Sequence, residues 1–201
     1  NKLNIIASAV IVLNMAASMP VVSAASEGTT EQEVHWIIEE ETPQIKQYLV
    51  PHGSTPLSIT TYERSGNTGL PAILLLHGQG LSSDFWNGSD KEGFGGGIWT
   101  ASSLKDYRII AVDLPGFGMS SRPSAEDFSY TLKADAEVVQ QVLRKAGVTS
   151  IHGVGHSMGA GVLLELYNLA QQGSGLNFKS FSSFEGVQVD LKTDPFYNTI
   201  G

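Results

Sequence analysis

Apolar residues along this chain fall into two kinds of run, and the change comes near Gly69. Before it lie two short apolar or alternating runs, residues 45–50 and 57–63, separated by Pro51-His52-Gly53-Ser54. That tetrapeptide has turn chemistry, so the two runs read as an antiparallel pair at a sheet edge. Beyond it the runs are continuous: residues 72–76, 109–112 and 151–154. A strand covered on both faces reads this way, as in a parallel sheet flanked by helices. Residues 125–146 carry Leu132, Ala136, Val139, Leu143 and Ala146 at close to helical spacing, with Gly147 as the stop. A second helix is predicted over 158–172, ended by Gly173-Ser174-Gly175, and a last strand over 179–185. No internal repeat interrupts the pattern. The class expected is α/β: an open, mostly parallel sheet with helices on both faces.

The first residues fit a processing segment better than a structural one. Lys2 precedes an apolar stretch over 5–22, broken by Asn14, Ser18 and Pro20, and Val22-Ser23-Ala24 suits cleavage before Ala25. Residues 1–24 are therefore expected to be a signal peptide and the protein to be exported, secreted or periplasmic. The alternative is a retained anchor, which would bring the membrane in as a partner. The sequence opens on Asn1, so its start is itself suspect. Residues 25–44, polar and acidic over 26–33, are expected to form an extension ahead of a domain at 45–201.

Composition narrows the chemistry. Twenty acidic residues against twelve basic ones give a formal charge of -8, which disfavours nucleic acid as a partner. With no cysteine there is no thiolate metal site and no cysteine nucleophile.

The residues that carry chemistry are Gly155-His156-Ser157-Met158-Gly159, between the strand at 151–154 and the helix that follows. Glycines on either side let strand and helix pack closely across a sharp turn, and the serine hydroxyl is left exposed at the carboxyl end of the sheet. The helix amino terminus would stabilise a developing oxyanion there. The backbone N–H of Met158 is one expected donor. His77-Gly78-Gln79-Gly80 closes the strand at 72–76 and offers the Gln79 N–H as the second, and Asp113-Leu114-Pro115-Gly116-Phe117-Gly118-Met119-Ser120 closes the next strand. The order of these strands puts all three loops at one sheet edge.

Together, His77-Gly78, Asp113-x-Pro115-Gly116-x-Gly118-x-Ser120 and the pentapeptide around Ser157 resemble the α/β-hydrolase superfamily over residues 45–185. The resemblance implies a serine nucleophile activated by a histidine that an acid orients, with no cofactor and no metal. The implied partner is a small-molecule substrate, an ester or another carbonyl compound. Epoxide opening and halide removal are excluded, because members with those activities carry aspartate where Ser157 stands.

The sequence departs from the family in one respect. The expected order is nucleophile, acid, histidine, yet His35, His52, His77, His152 and His156 all precede Ser157. No base is assigned. His156 should point away from the serine hydroxyl, whereas His77 and His152 read as satisfied structural histidines. Glu185 is the one weak candidate for the acid, and Asp190 and Asp194 read as surface-turn residues. Six strands are legible where the family has two more, so the chain reads as incomplete at its C-terminus and nearly inactive as written. Residues 85–97, glycine-rich with Trp86 and Phe94, could rim the site or form a solvated loop. Two other functions stay open. One is a non-catalytic binding protein that keeps the pocket. The other is a nicotinamide-binding domain built on Gly153-x-Gly155-x-x-x-Gly159 with Glu185, although that acid lies too far along the chain.

Overall fold

The computed structural model describes residues 43–86, 98–99 and 101–186. The expected leader, all but the end of the extension, residues 87–97 of the proposed rim, and Asp190 and Asp194 lie outside the described residues.

Six strands form one sheet in the order β1-β2-β4-β3-β5-β6. Strands β1 (Gln44–Val50) and β2 (Leu57–Arg64) are the expected antiparallel pair, and β2 also runs antiparallel to β4 (Ile109–Val112). Strands β3 (Ala72–Leu76), β4, β5 (Ser150–His156) and β6 (Asn177–Phe184) are mutually parallel. The sheet begins one residue before the expected domain start, and the last strand opens two residues earlier and closes one residue sooner than 179–185.

Every residue of β3 and β4 is buried, as continuous apolar runs require. Successive side chains serve opposite faces. Leu74, Leu76, Ile110 and Val112 pack on one face beneath helices α1 (Leu132–Lys145) and α2 (Met158–Gln171). Ile73, Leu75, Ile109 and Ala111 pack on the other, against Trp86 and Trp99. Trp86 ends a 3-10 turn at Ser83–Trp86.

Helix α1 is shorter than its sequence pattern predicted, starting at Leu132 rather than at residue 125. Asp127 and Phe128 N–H groups both close on the Ser124 carbonyl, and Tyr130 then takes φ 49, which no right-handed helix can include. Thr131 is extended and caps the helix, its hydroxyl accepting from the Ala134 N–H at 3.2 Å. Phe128 is held in the core by ring contacts with His52 and Tyr130. Gly147, at φ 70, stops the helix where expected.

Strand connectivity locates the crevice. The chain leaves β3 for β4 on one side, crosses back to β5 on the other, and continues outward to β6. The loops after β3 and β5 therefore diverge at neighbouring strand ends, which is where open α/β sheets leave room for a ligand.

Candidate active site

Ser157 lies at that crevice, as the single residue between β5 and α2, with φ 48 and ψ −116. A non-glycine residue there is strained by roughly 1–3 kcal/mol, and persists only where its surroundings hold it. Its N–H donates to the Phe184 carbonyl at 2.9 Å, and its carbonyl accepts from Ala160 at 3.0 Å. Close packing completes the constraint. A Cβ on Gly155 would lie 2.6 Å from the Ala160 backbone, and one on Gly159 would lie 2.3 Å from the Leu76 carbonyl oxygen. Both glycines are thus required by the approach of α2 to β5 and β3.

Gly78 brings the β3 loop to the same point. A Cβ there would fall 2.6 Å from His156 Nδ1 and 3.3 Å from Ser157 Cβ. Gln79 and Gly80 then form a turn in which the Leu81 N–H donates to the Gly78 carbonyl, with Gly80 at φ 76. Gln79 is exposed, and its N–H donates to no group among the described residues. Met158 opens α2, where an N–H has no partner within the helix. Gln79 thus follows directly on the residue that touches Ser157, and Met158 directly follows the serine.

His77 is buried with both ring nitrogens engaged. Nε2 accepts from the Leu114 N–H at 3.1 Å, so Nδ1 carries the proton and donates to the Gly78 carbonyl at 2.8 Å. Burial lowers its pKa, which keeps the ring neutral at neutral pH. It ties the β3 loop to the β4 loop. His152 bonds Ser180 Oγ at 2.8 Å across to β6, and His52 Nε2 lies 2.6 Å from the Asp127 carbonyl oxygen. Among the described residues no histidine is hydrogen-bonded to the Ser157 hydroxyl.

Two features were not foreseen. Asp113 Oδ1 accepts from the Ser83 N–H at 2.7 Å and Oδ2 from the Met119 N–H at 2.9 Å, so one buried carboxylate buckles the β3 and β4 loops together. Its place in the β4 loop motif was visible, but not its partner thirty residues away. His156 stacks on Phe85, with ring centroids 4.6 Å apart and planes at 22°, and its Nε2 lies 3.3 Å from Glu185 Oε2. Glu185, at φ 47 just past β6, is largely exposed. The structure brings the weak acid candidate to His156 rather than to any histidine beside the serine hydroxyl. Among the described residues, no cluster of three or more His, Cys, Asp or Glu side chains could hold a metal ion, and no helix is long and apolar enough to cross a membrane.

Comparison with known proteins identifies the family. The chain is 35% identical over 111 residues to "Probable lysophospholipase BODYGUARD 3" of Arabidopsis thaliana, across 55% of this chain and 21% of that protein. It is also 35% identical over 106 residues to the dihydrolipoyllysine-residue acetyltransferase component of the acetoin cleaving system of Cupriavidus necator, across 52% of this chain and 24% of that one. The matched stretch therefore spans about a quarter or less of these relatives' length. The haloalkane dehalogenase DatA of Agrobacterium tumefaciens superposes with a TM-score of 0.53 at 26% identity, over 77% of this chain and 47% of that chain. Residues 71–173, from β3 through α2 and just over half of the sequence, match the family model described as alpha/beta hydrolase fold. The chain belongs to the α/β-hydrolase fold family.

Proposed function

We propose that this protein hydrolyses carboxylic esters or related acyl compounds through an acyl-enzyme on Ser157. The Oγ atom attacks the substrate carbonyl carbon as a base takes its proton, a C–O bond forms, and the carbonyl π electrons move to oxygen; the same base later gives that proton to the leaving group. The Gln79 and Met158 N–H groups hold that oxyanion. On collapse the carbonyl reforms, the bond to the leaving group breaks and a proton passes to it; water then releases the acid by the same steps. The observation that carries this reading is the positive φ of Ser157 at the β5–α2 junction, packed against Gly78.

A serine hydroxyl without a base is a weak nucleophile, and the described histidines are committed elsewhere. Activation therefore needs a base that none of the described histidines supplies. The same fact favours a second reading, a binding protein that keeps the pocket without turnover. A fluorophosphonate probe separates the two: the expected result is one adduct, mapped to Ser157 by mass spectrometry and absent from Ser157→Ala. Labelling that persists in Ser157→Ala, or no labelling at any probe concentration, overturns the serine hydrolase.

A further inference from the structure

The loop after β3 and the loop after β4 line an open cavity of about 530 Å³. Leu81, Phe85 and Phe117 give it an apolar lining, with Asp84 and Arg122 as its two charged residues. The cavity adjoins the reaction centre, because Phe85 stacks on His156 and Phe117 packs edge-on against His77. No ion pair joins Asp84 to Arg122.

Each charge is left available. One Arg122 Nη2 donates to the Gly118 carbonyl at 2.7 Å, and the other guanidinium N–H groups have no partner among the described residues. Asp84 Oδ2 accepts only a long bond of 3.4 Å from Ser82. Burial first, then the charges of Asp113 and Asp84, hold the Tyr62 phenol on β2 above its ordinary range. Two opposite charges that share a cavity without pairing would normally be drawn together, unless the loops hold them apart. Here each loop is pinned, the first through Ser83 and the second through Met119, to the same Asp113 carboxylate.

We propose that this cavity takes a zwitterionic head group, with its anion on Arg122 and its cation on Asp84, as the leaving alcohol of the ester attacked by Ser157. The assignment rests on the serine hydrolase reading and adds the substrate class. A guanidinium suits a phosphate or carboxylate through paired N–H bonds. A carboxylate in a cavity that Phe85 and Phe117 also line suits an ammonium group carrying methyl groups. A singly charged head would engage one of the two charges, a zwitterion both.

Titration calorimetry on the full chain tests this with glycerophosphocholine and L-carnitine as zwitterions, and glycerol 3-phosphate and choline as singly charged controls. At least one zwitterion should bind fivefold or more tightly than both controls. Arg122→Gln and Asp84→Asn should each weaken that binding at least fivefold, and Asp84→Arg combined with Arg122→Asp should restore part of it. Both side chains are exposed, so thermal melts of the variants should match the parent. Preference for glycerophosphocholine identifies a phosphodiester head, and preference for carnitine a carboxylate one. Controls that bind as tightly as the zwitterions, or variants that change affinity less than fivefold, overturn the proposal. None of these probes carries an acyl bond, so binding can fail while Ser157 still labels, and labelling can fail while binding stands.

Discussion

At Gly78 the fate of the site turns on a single missing atom. A methyl group there would stand 2.6 Å from His156 Nδ1 and 3.3 Å from Ser157 Cβ, and the His156 ring cannot yield freely because Phe85 lies stacked against it. Gly78→Ala should therefore force the β3 loop away from the elbow. Fluorophosphonate labelling of Ser157 is expected to fall at least tenfold, with the far-ultraviolet circular dichroism spectrum unchanged; labelling at the parent rate would show that the gap between the loops does not matter. Residues of this kind were only half legible in the sequence. The glycines around Ser157 declare themselves through their spacing, whereas the Asp113 contact to Ser83 and the stack of His156 on Phe85 join loops from different strands. No local pattern encodes such contacts.

Helix α1 shows how an element can carry a cost inside itself. Asp135 lies in its first turn, only 3% exposed, with Oδ1 lacking any hydrogen-bond partner among the described residues, and burial pushes its pKa up to about 7. An acid whose folded pKa is raised binds a proton more tightly in the folded state than in the unfolded one. Stability is thus fully present below the unfolded value of 3.8 and is lost as pH rises through about 7. The displacement corresponds to roughly 4 kcal/mol, at about 1.4 kcal/mol per tenfold change in proton affinity. Asp135→Asn should accordingly raise the melting temperature at pH 8 and change it little at pH 4. A variant that is no more stable than the parent at pH 8 would refute the account. The sequence placed Ala136, Val139 and Leu143 correctly on one helical face, but the same periodicity was extended back to residue 125. Tyr130 at φ 49 and the Thr131 cap override it there, because burial of Phe128 fixes the preceding turn.

Across the whole sheet, Glu63 balances Asp135 with the opposite sign. Its carboxylate is 3% exposed and joins three strands, accepting from Lys46 at 2.8 Å and Tyr48 at 2.7 Å on β1, and from Arg108 at 2.8 Å beside β4. Burial would raise its pKa, yet these hydrogen bonds outweigh burial and hold it below the ordinary carboxylate range. The Tyr48 phenol is pushed up to about 12 by burial and by its bond to Glu63. Stability from Glu63 is present above its unfolded pKa and lost as pH falls through the lower folded one. Glu63→Gln should lower stability by on the order of 2 kcal/mol at pH 7, with the deficit shrinking toward pH 3; urea unfolding at the two pH values checks it, and a deficit independent of pH would remove the charge from the explanation. By itself, the sequence determined the α/β class, the six strands to within a few residues, and the glycine-flanked serine between strand and helix, because these depend on periodicity and on backbone conformations that only certain residues permit. Only the tertiary structure decided which loops meet at the β3–β5 crevice, that Asp113 buckles two of them, that Glu63 ties three strands, and that Asp84 and Arg122 share one cavity. Those contacts depend on strand order, which carries the chain from β4 back across β3 to set β5 on its other side, and strand order is a property of the packed sheet rather than of any segment within it.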